Sequence, residues 1–160
     1  MSFRVGIGFD IHRLVKGRDL VLAGVNVPSD KGLLGHSDGD VITHAVCDAL
    51  LGAVGSSSDI GSIFPDTAEE TLGMNSLDML KSIASDIHVD YSIVNMDINC
   101  ICERPALAPF RDKMIKKIAD TCGISTDKVS IKFRTNEGLG DVGKGNAISS
   151  QAIVLVERRR

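Results

Sequence analysis

Apolar residues recur along the chain with two periods, every second residue and every third or fourth, and the two alternate. Phe3–Phe9 and Leu20–Ala23 read as short strands, joined by a turn that holds Lys16, Gly17, Arg18 and Asp19. Between Asp38 and Val54, the residues Val41, Ile42, Ala45, Val46, Ala49, Leu50 and Ala53 fall at helical spacing. Ser37, Asp38 and Asp40 stand before them as cap and first-turn residues. Ser76–Ile87 repeats the helical pattern at Leu77, Leu80, Ile83, Ala84 and Ile87, with Ser76 as its expected cap. Tyr91–Cys102 contains a strand that offers Ile93, Met96, Ile98 and Ile101 to a core. Pro109 opens a further helix through Cys122, and Gly123 sits where a terminating glycine is expected. Val129–Arg134 alternates, with Val129, Ile131 and Phe133 inward, and Ala147–Val156 is the last strand. Strand and helix mix without a strict βαβ rhythm, so the expected class is α+β.

Composition narrows the function classes. A chain of 160 residues, 43% hydrophobic and 24% charged, fits one folded domain spanning residues 1–160. Eighteen basic residues against 21 acidic give a net charge of −3, with one Tyr and no Trp. This leaves neither a basic footprint nor stacking surface for nucleic acid. No apolar run reaches the ~20 residues that cross a bilayer, and no leader is visible, so a soluble cytoplasmic protein is expected, with no membrane partner. A matured organellar protein has the same appearance. The four cysteines (Cys47, Cys100, Cys102 and Cys122) lack the spacing of a disulfide framework. Cys100 and Cys102 read as packing residues on one strand face.

Three stretches carry candidate chemistry. Asp10 and His12 follow the first strand at i and i+2, so in extended chain their side chains point to one side. Such a triplet binds a metal, or serves as an Asp orienting a His, or sits on a surface. His44 and Asp48 lie one turn apart on the predicted helix, behind His36. If the first strand's end lies beside that helix, Asp10, His12 and His44 form three N/O ligands with a fourth position open, the pattern of catalytic zinc. The third stretch is a pair of acidic and glycine-rich loops. One runs Ser56–Gly61 and on to Phe64–Thr67, with Asp59 and Asp66; the other runs Lys132–Gly145, with Lys132, Arg134, Thr135, Glu137 and Lys144. Loop amides suit phosphate oxygens and Glu137 suits Mg²⁺, while a hairpin needing glycines is the plain alternative.

Four ordered motifs then point to one family. Gly8–His12 (GFDIH), His36–Val41 (HSDGDV), His44–Gly52 (HAVCDALLG) and Asp59–Thr67 (DIGSIFPDT) resemble the 2-C-methyl-D-erythritol 2,4-cyclodiphosphate synthases, over nearly the whole chain. The resemblance implies a homotrimer of α+β subunits, each a mixed sheet with helices packed on one face, with active sites at the subunit interfaces. The implied substrate is 4-diphosphocytidyl-2-C-methyl-D-erythritol 2-phosphate and the implied products are the cyclic diphosphate and CMP. By the same resemblance Asp10, His12 and His44 hold Zn²⁺, and His36 and Thr135 align the diphosphate. Glu137 holds a second ion, Mg²⁺ or Mn²⁺. Asp48, Asp59, Ile60, Gly61, Phe64 and Asp66 match the pocket for the methylerythritol phosphate. Cys102, Pro105, Ala106, Leu107 and Ala108 match the segment that grips cytosine. Lys132, Arg134 and Lys144 are expected to bind the substrate's anionic groups. Asp48 is expected either to orient His44 or to bind a substrate hydroxyl. A generic zinc phosphate-ester hydrolase and a metal-binding scaffold are the competing readings.

Overall fold

A computed structural model describes residues 2–65 and 73–160. Its first strand, β1 (Phe3–Lys16), is longer than the sequence pattern predicts and contains Asp10 and His12 within it. The alternation does continue past Phe9, with Ile11 outward, but the inward positions turn polar at Asp10 and His12. That polarity hides the second half of the strand from a hydropathy reading.

Two strands of three residues, β2 (Leu20–Leu22) and β3 (Val25–Val27), form a separate antiparallel hairpin. The short β4 (Lys31–Leu33) pairs with the far end of β1. Helix α1 (Val41–Val54) follows, then the single turn α2 (Ile60–Ile63) and helix α3 (Ser76–Asp90). The cap of α3 is Asn75, whose side chain accepts from the Leu77 amide; Ser76 is not the cap and is engaged elsewhere. Next come β5 (Tyr91–Ile101) and, after a 3-10 turn holding Pro109, helix α4 (Arg111–Cys122). Gly123 ends α4 at φ 65, the left-handed conformation expected of it. The chain closes through β6 (Val129–Arg134), the turn α5 (Gly140–Gly143) and β7 (Ala147–Arg158).

The main sheet has the order β4-β1-β7-β5-β6. β5 and β6 are parallel and the other pairs antiparallel, which makes the sheet mixed. A register shift between Ile93 and Asn95 lets Ile93 and Met96 both point inward despite their odd spacing. Beyond it the two-residue period sends Ile98 and Cys100 into the core, and Ile101 falls on the opposite face, contrary to expectation.

The core lies between this sheet and the helices, with Ile42, Val46, Leu50, Leu80, Ile98, Met114, Ile118 and Val154 fully or almost fully buried. One contact sets the position of α1. Gly6 and Gly8 face the helix, and a methyl on Gly8 would lie 2.0 Å from the Ala45 carbonyl oxygen. Gly6 stands in the same relation to Ala49, so the strand and the helix backbone touch directly. The other face of β1 is uncovered in the single chain: Phe3, Val5, Ile7, Phe9 and Ile11, with Ile153 of β7, are 46% to 68% exposed.

Candidate metal centre and substrate surfaces

The strand–helix contact carries the site. Gly6, Gly8, Asp10 and His12 share one face of β1 by the two-residue period. Because α1 lies against Gly6 and Gly8, its first turn brings His44 over Asp10. Asp10 Oδ2 is 2.9 Å from His44 Nδ1 and 3.2 Å from His12 Nε2. One ligand atom from each residue lies within 4.8 Å of the others, a set that suits a divalent cation. The rings of His12 and His44 meet edge to face, 5.6 Å between centroids.

Burial disfavours charge on Asp10, but hydrogen bonds from His12 and His44 outweigh it and hold the carboxyl well below its ordinary range. Burial likewise opposes the His44 imidazolium, and the bond to Asp10 outweighs it, so that pKa is raised. Asp40 anchors the start of α1. Its fully buried carboxylate accepts from the amides of Ala23, Gly24, Ile42 and Thr43 and from the Thr43 hydroxyl. The hairpin of β2 and β3 is thereby tied to the helix that presents His44.

Of the two expectations for Asp48, orientation of His44 is not met. Both nitrogens of His44 face other groups: Nδ1 faces Asp10, while Nε2 lies 2.9 Å from Ser76 Oγ and 3.2 Å from Ser37 Oγ. Asp48 instead accepts the Ile60 amide at 2.8 Å, and its half-buried setting raises its pKa. Asp59 caps α2 through Ser62, whose hydroxyl and amide hold the exposed carboxyl below its ordinary range.

The expected site residues fall into two main groups, with Asp48 and Asp59 beside the first. Asp10, His12, His36, His44, Ile60, Gly61 and Phe64 line one cavity, joined by Leu34 and Met79. Asp48 and Asp59 line a shallower hollow next to α1 and α2. Asp66 lies outside the described residues. Pro105, Ala106 and Lys144 line a different cavity, with Glu103 and Arg104. Cys102 and Leu107 are buried and Ala108 is exposed. The exposed Thr135 donates to Glu137 at 2.9 Å, and the intervening Asn136 amide donates to Glu103, which joins this loop to the second group. The two groups line separate cavities.

Lys132 and Arg134 are engaged locally. Lys132 Nζ pairs with Asp97 at 2.5 Å, and Arg134 donates to the Phe133 carbonyl. The four cysteines are free and buried, and burial pushes Cys102 up to about 11 and Cys122 up to about 12, so they remain thiols. Sequence reading treated Ser37 as a cap only and missed Ser76 as a partner of His44. Nothing local signals a contact across 32 positions.

An α+β chain with a mixed sheet, and an Asp-His-His set at the junction of strand and helix, is the metal-site architecture these observations define. The profile of the YgbB family matches residues 3–157, and the chain belongs to that family. Relatives named 2-C-methyl-D-erythritol 2,4-cyclodiphosphate synthase include one from Caldicellulosiruptor bescii, 46% identical over 96% of this chain and 98% of its own. Another, from Alkaliphilus metalliredigens, is 49% identical over 96% of each. Among solved structures, Plasmodium falciparum IspF in complex with CDP aligns at TM-score 0.87 and 35% identity, over 99% of this chain and 98% of that one. The bifunctional IspDF of Campylobacter jejuni aligns at TM-score 0.94 and 33% identity over 99% of this chain, which spans only 43% of that protein. Among the described residues no helix is long and apolar enough to cross a membrane.

Proposed function

We propose that this chain is a metal-dependent phosphorus–oxygen lyase of the non-mevalonate isoprenoid pathway. It converts 4-diphosphocytidyl-2-C-methyl-D-erythritol 2-phosphate into 2-C-methyl-D-erythritol 2,4-cyclodiphosphate and CMP. The observation that carries this is the convergence of Asp10, His12 and His44 in a member of the YgbB family. The CDP bound to the Plasmodium falciparum relative supports a cytidine nucleotide as part of the substrate. A cytoplasmic location fits this reading.

In this reaction a 2-phosphate oxygen attacks the β-phosphorus, the bond from that phosphorus to the bridging oxygen breaks, and CMP leaves with the electron pair. When bound, Zn²⁺ at the triad and Mg²⁺ or Mn²⁺ at Glu137 supply charge neutralisation and polarise the phosphorus centre. Asp10, His12 and His44 fit the first ion by donor type and spacing. Glu137 contributes one carboxylate to the second, in keeping with a small hard cation that takes its other ligands from phosphates and water. No protein nucleophile is needed. What the chain must do is hold a flexible polyanion in a ring-closing geometry, which is worth several kcal/mol of barrier, on the order of 7–11 at best. His36, on the rim of the metal cavity, and Thr135, beside Glu137, act as positioning donors to the diphosphate. Asp48 holds the Asp59–Gly61 turn through the Ile60 amide, and that turn with Phe64 encloses the methylerythritol phosphate; Asp66 is assigned to the same group by its match to the family motif alone. Cys102, Pro105, Ala106, Leu107 and Ala108 form the cytosine segment, and Lys132, Arg134 and Lys144 are assigned to the substrate's anionic groups.

The active form in this reading is a homotrimer. Two features support it: the cavity at Asp10, His12 and His44 is separate from the one at Glu103–Ala106, and the outer face of β1 exposes a contiguous apolar row. Joining copies through that face would cover the row and set the metal group of one chain beside the Thr135–Glu137 group of the next. Incubation with the cytidyl substrate tests the reading. Release of CMP together with the cyclic product is the expected outcome, and a linear phosphate product would establish the hydrolase instead.

A further inference from the structure

We propose that Ser76 and Asp38 form a relay that holds His44 with its proton on Nε2, leaving Nδ1 for the metal, and that Ser76 is therefore a positioning residue of the centre. This rests on the reading of Asp10, His12 and His44 as metal ligands. Ser76 is completely buried in the first turn of α3, and its hydroxyl oxygen lies 2.9 Å from His44 Nε2. The same hydroxyl makes a short hydrogen bond to Asp38 Oδ1, while Asp38 Oδ2 accepts the Ser76 amide at 3.0 Å. Asp38 thus accepts from both donors of Ser76.

The direction of the chain follows from donor chemistry. An ionised carboxylate only accepts, so the Ser76 proton is committed to Asp38, and the lone pairs of Ser76 Oγ face His44. A ring nitrogen opposite those lone pairs must carry a proton. With an ion bound the imidazole then keeps its proton on Nε2, and Nδ1, which donates to Asp10 Oδ2 in the metal-free chain, is the nitrogen left to ligate. Ser37 Oγ is a weaker second acceptor, at 3.2 Å, and itself accepts the Gly39 amide. A further tie keeps this corner together: the Gly73 amide, shortly before α3, donates to the His36 carbonyl at 2.8 Å. The start of α3 therefore braces the metal ligand from the side opposite β1, a role no motif discloses.

Two measurements on the full chain test the relay. Long-range ¹⁵N–¹H correlation of the imidazoles in the zinc-loaded wild type should place the His44 proton on Nε2 and the metal on Nδ1. Zinc titration against a chromogenic chelator should find Ser76→Ala weaker than wild type by about 10- to 100-fold, with Ser37→Ala less affected, as expected for an outer partner of a metal ligand. Circular dichroism checks that both variants fold. A His44 proton on Nδ1, or a folded Ser76→Ala that binds zinc within about twofold of wild type, would overturn the relay. If Ser76→Ala does not fold, the wild-type tautomer alone decides. A wild type that takes up no zinc would remove the metal-centre reading and the relay with it, whereas failure of the relay alone leaves zinc binding intact.

Discussion

At the scale of single residues, Asp10 and His44 have opposite and mutually caused shifts, and these set a pH window for the metal-free protein. Burial opposes charge on both, yet the hydrogen bonds from His12 and His44 keep Asp10 ionised to lower pH, and the 2.9 Å contact with Asp10 keeps His44 protonated to higher pH than usual. A lowered acid contributes stability above its ordinary value of 3.8 and loses it as pH falls through its folded value. A raised imidazole contributes stability below its ordinary value of 6.5 and loses it as pH rises through its folded value. In metal-free protein, wild type should therefore exceed His44→Gln in thermal midpoint between these two pH values. The gap should close on the alkaline side. A gap that widened above neutral pH would contradict the pairing. The convergence of Asp10 and His12 was legible in the sequence, because i and i+2 on a strand share a face whatever surrounds them, whereas His44 joined them there only on the condition that the strand's end lies beside the helix. The partners of His44 were not, since Ser76 reaches it only through the folding of a distant helix, and Asp48, its neighbour in spacing, turns to Ile60 instead.

At the scale of elements, the decisive unit is β1 against α1. Strand glycines at positions 6 and 8 face helix alanines 45, 49 and 53, and this small-residue seam lets two backbones touch. Inserting a methyl at Gly8 would meet the Ala45 carbonyl oxygen, an atom that cannot move without the helix. Gly8→Ala should cost about 1–3 kcal/mol as an overpacking change and also weaken zinc binding, since lifting α1 draws His44 away from Asp10. Chemical denaturation and chelator competition read these separately, and unchanged zinc affinity would show that the seam does not position the ligand. The long periodic elements, α1, α3, α4 and β6, were readable because each buries one face over several turns or alternations. The second half of β1 was not, because its inward residues are the polar Asp10 and His12 rather than apolar core. Strands β3 and β4 are too short to carry a period, and the shift at Ile93–Asn95 reassigned Ile101 to the opposite face.

At the scale of the whole molecule, one hydrophobic core among the described residues supports two separate groups of candidate site residues. The metal group sits where β1 meets α1, and the Thr135–Glu137 loop belongs with the Glu103–Ala106 surface. If neighbouring copies supply the two halves, the contact between them is head-to-tail, each chain giving one half to one neighbour and the other half to the next. Such an arrangement has a genetic signature. A chain carrying His44→Ala and a chain carrying Glu137→Ala should each be inactive alone, yet trimers assembled from a mixture of the two would contain interfaces at which both intact halves meet. With random assembly from equal amounts, about one interface in four is whole, so mixing by co-refolding should restore about a quarter of wild-type turnover per site. A mixture that stays inactive, despite mass analysis proving mixed trimers, would place the complete site within one chain. The separation of two cavities thus becomes a matter of inheritance: two alleles, each null when alone, can complement one another inside a single oligomer.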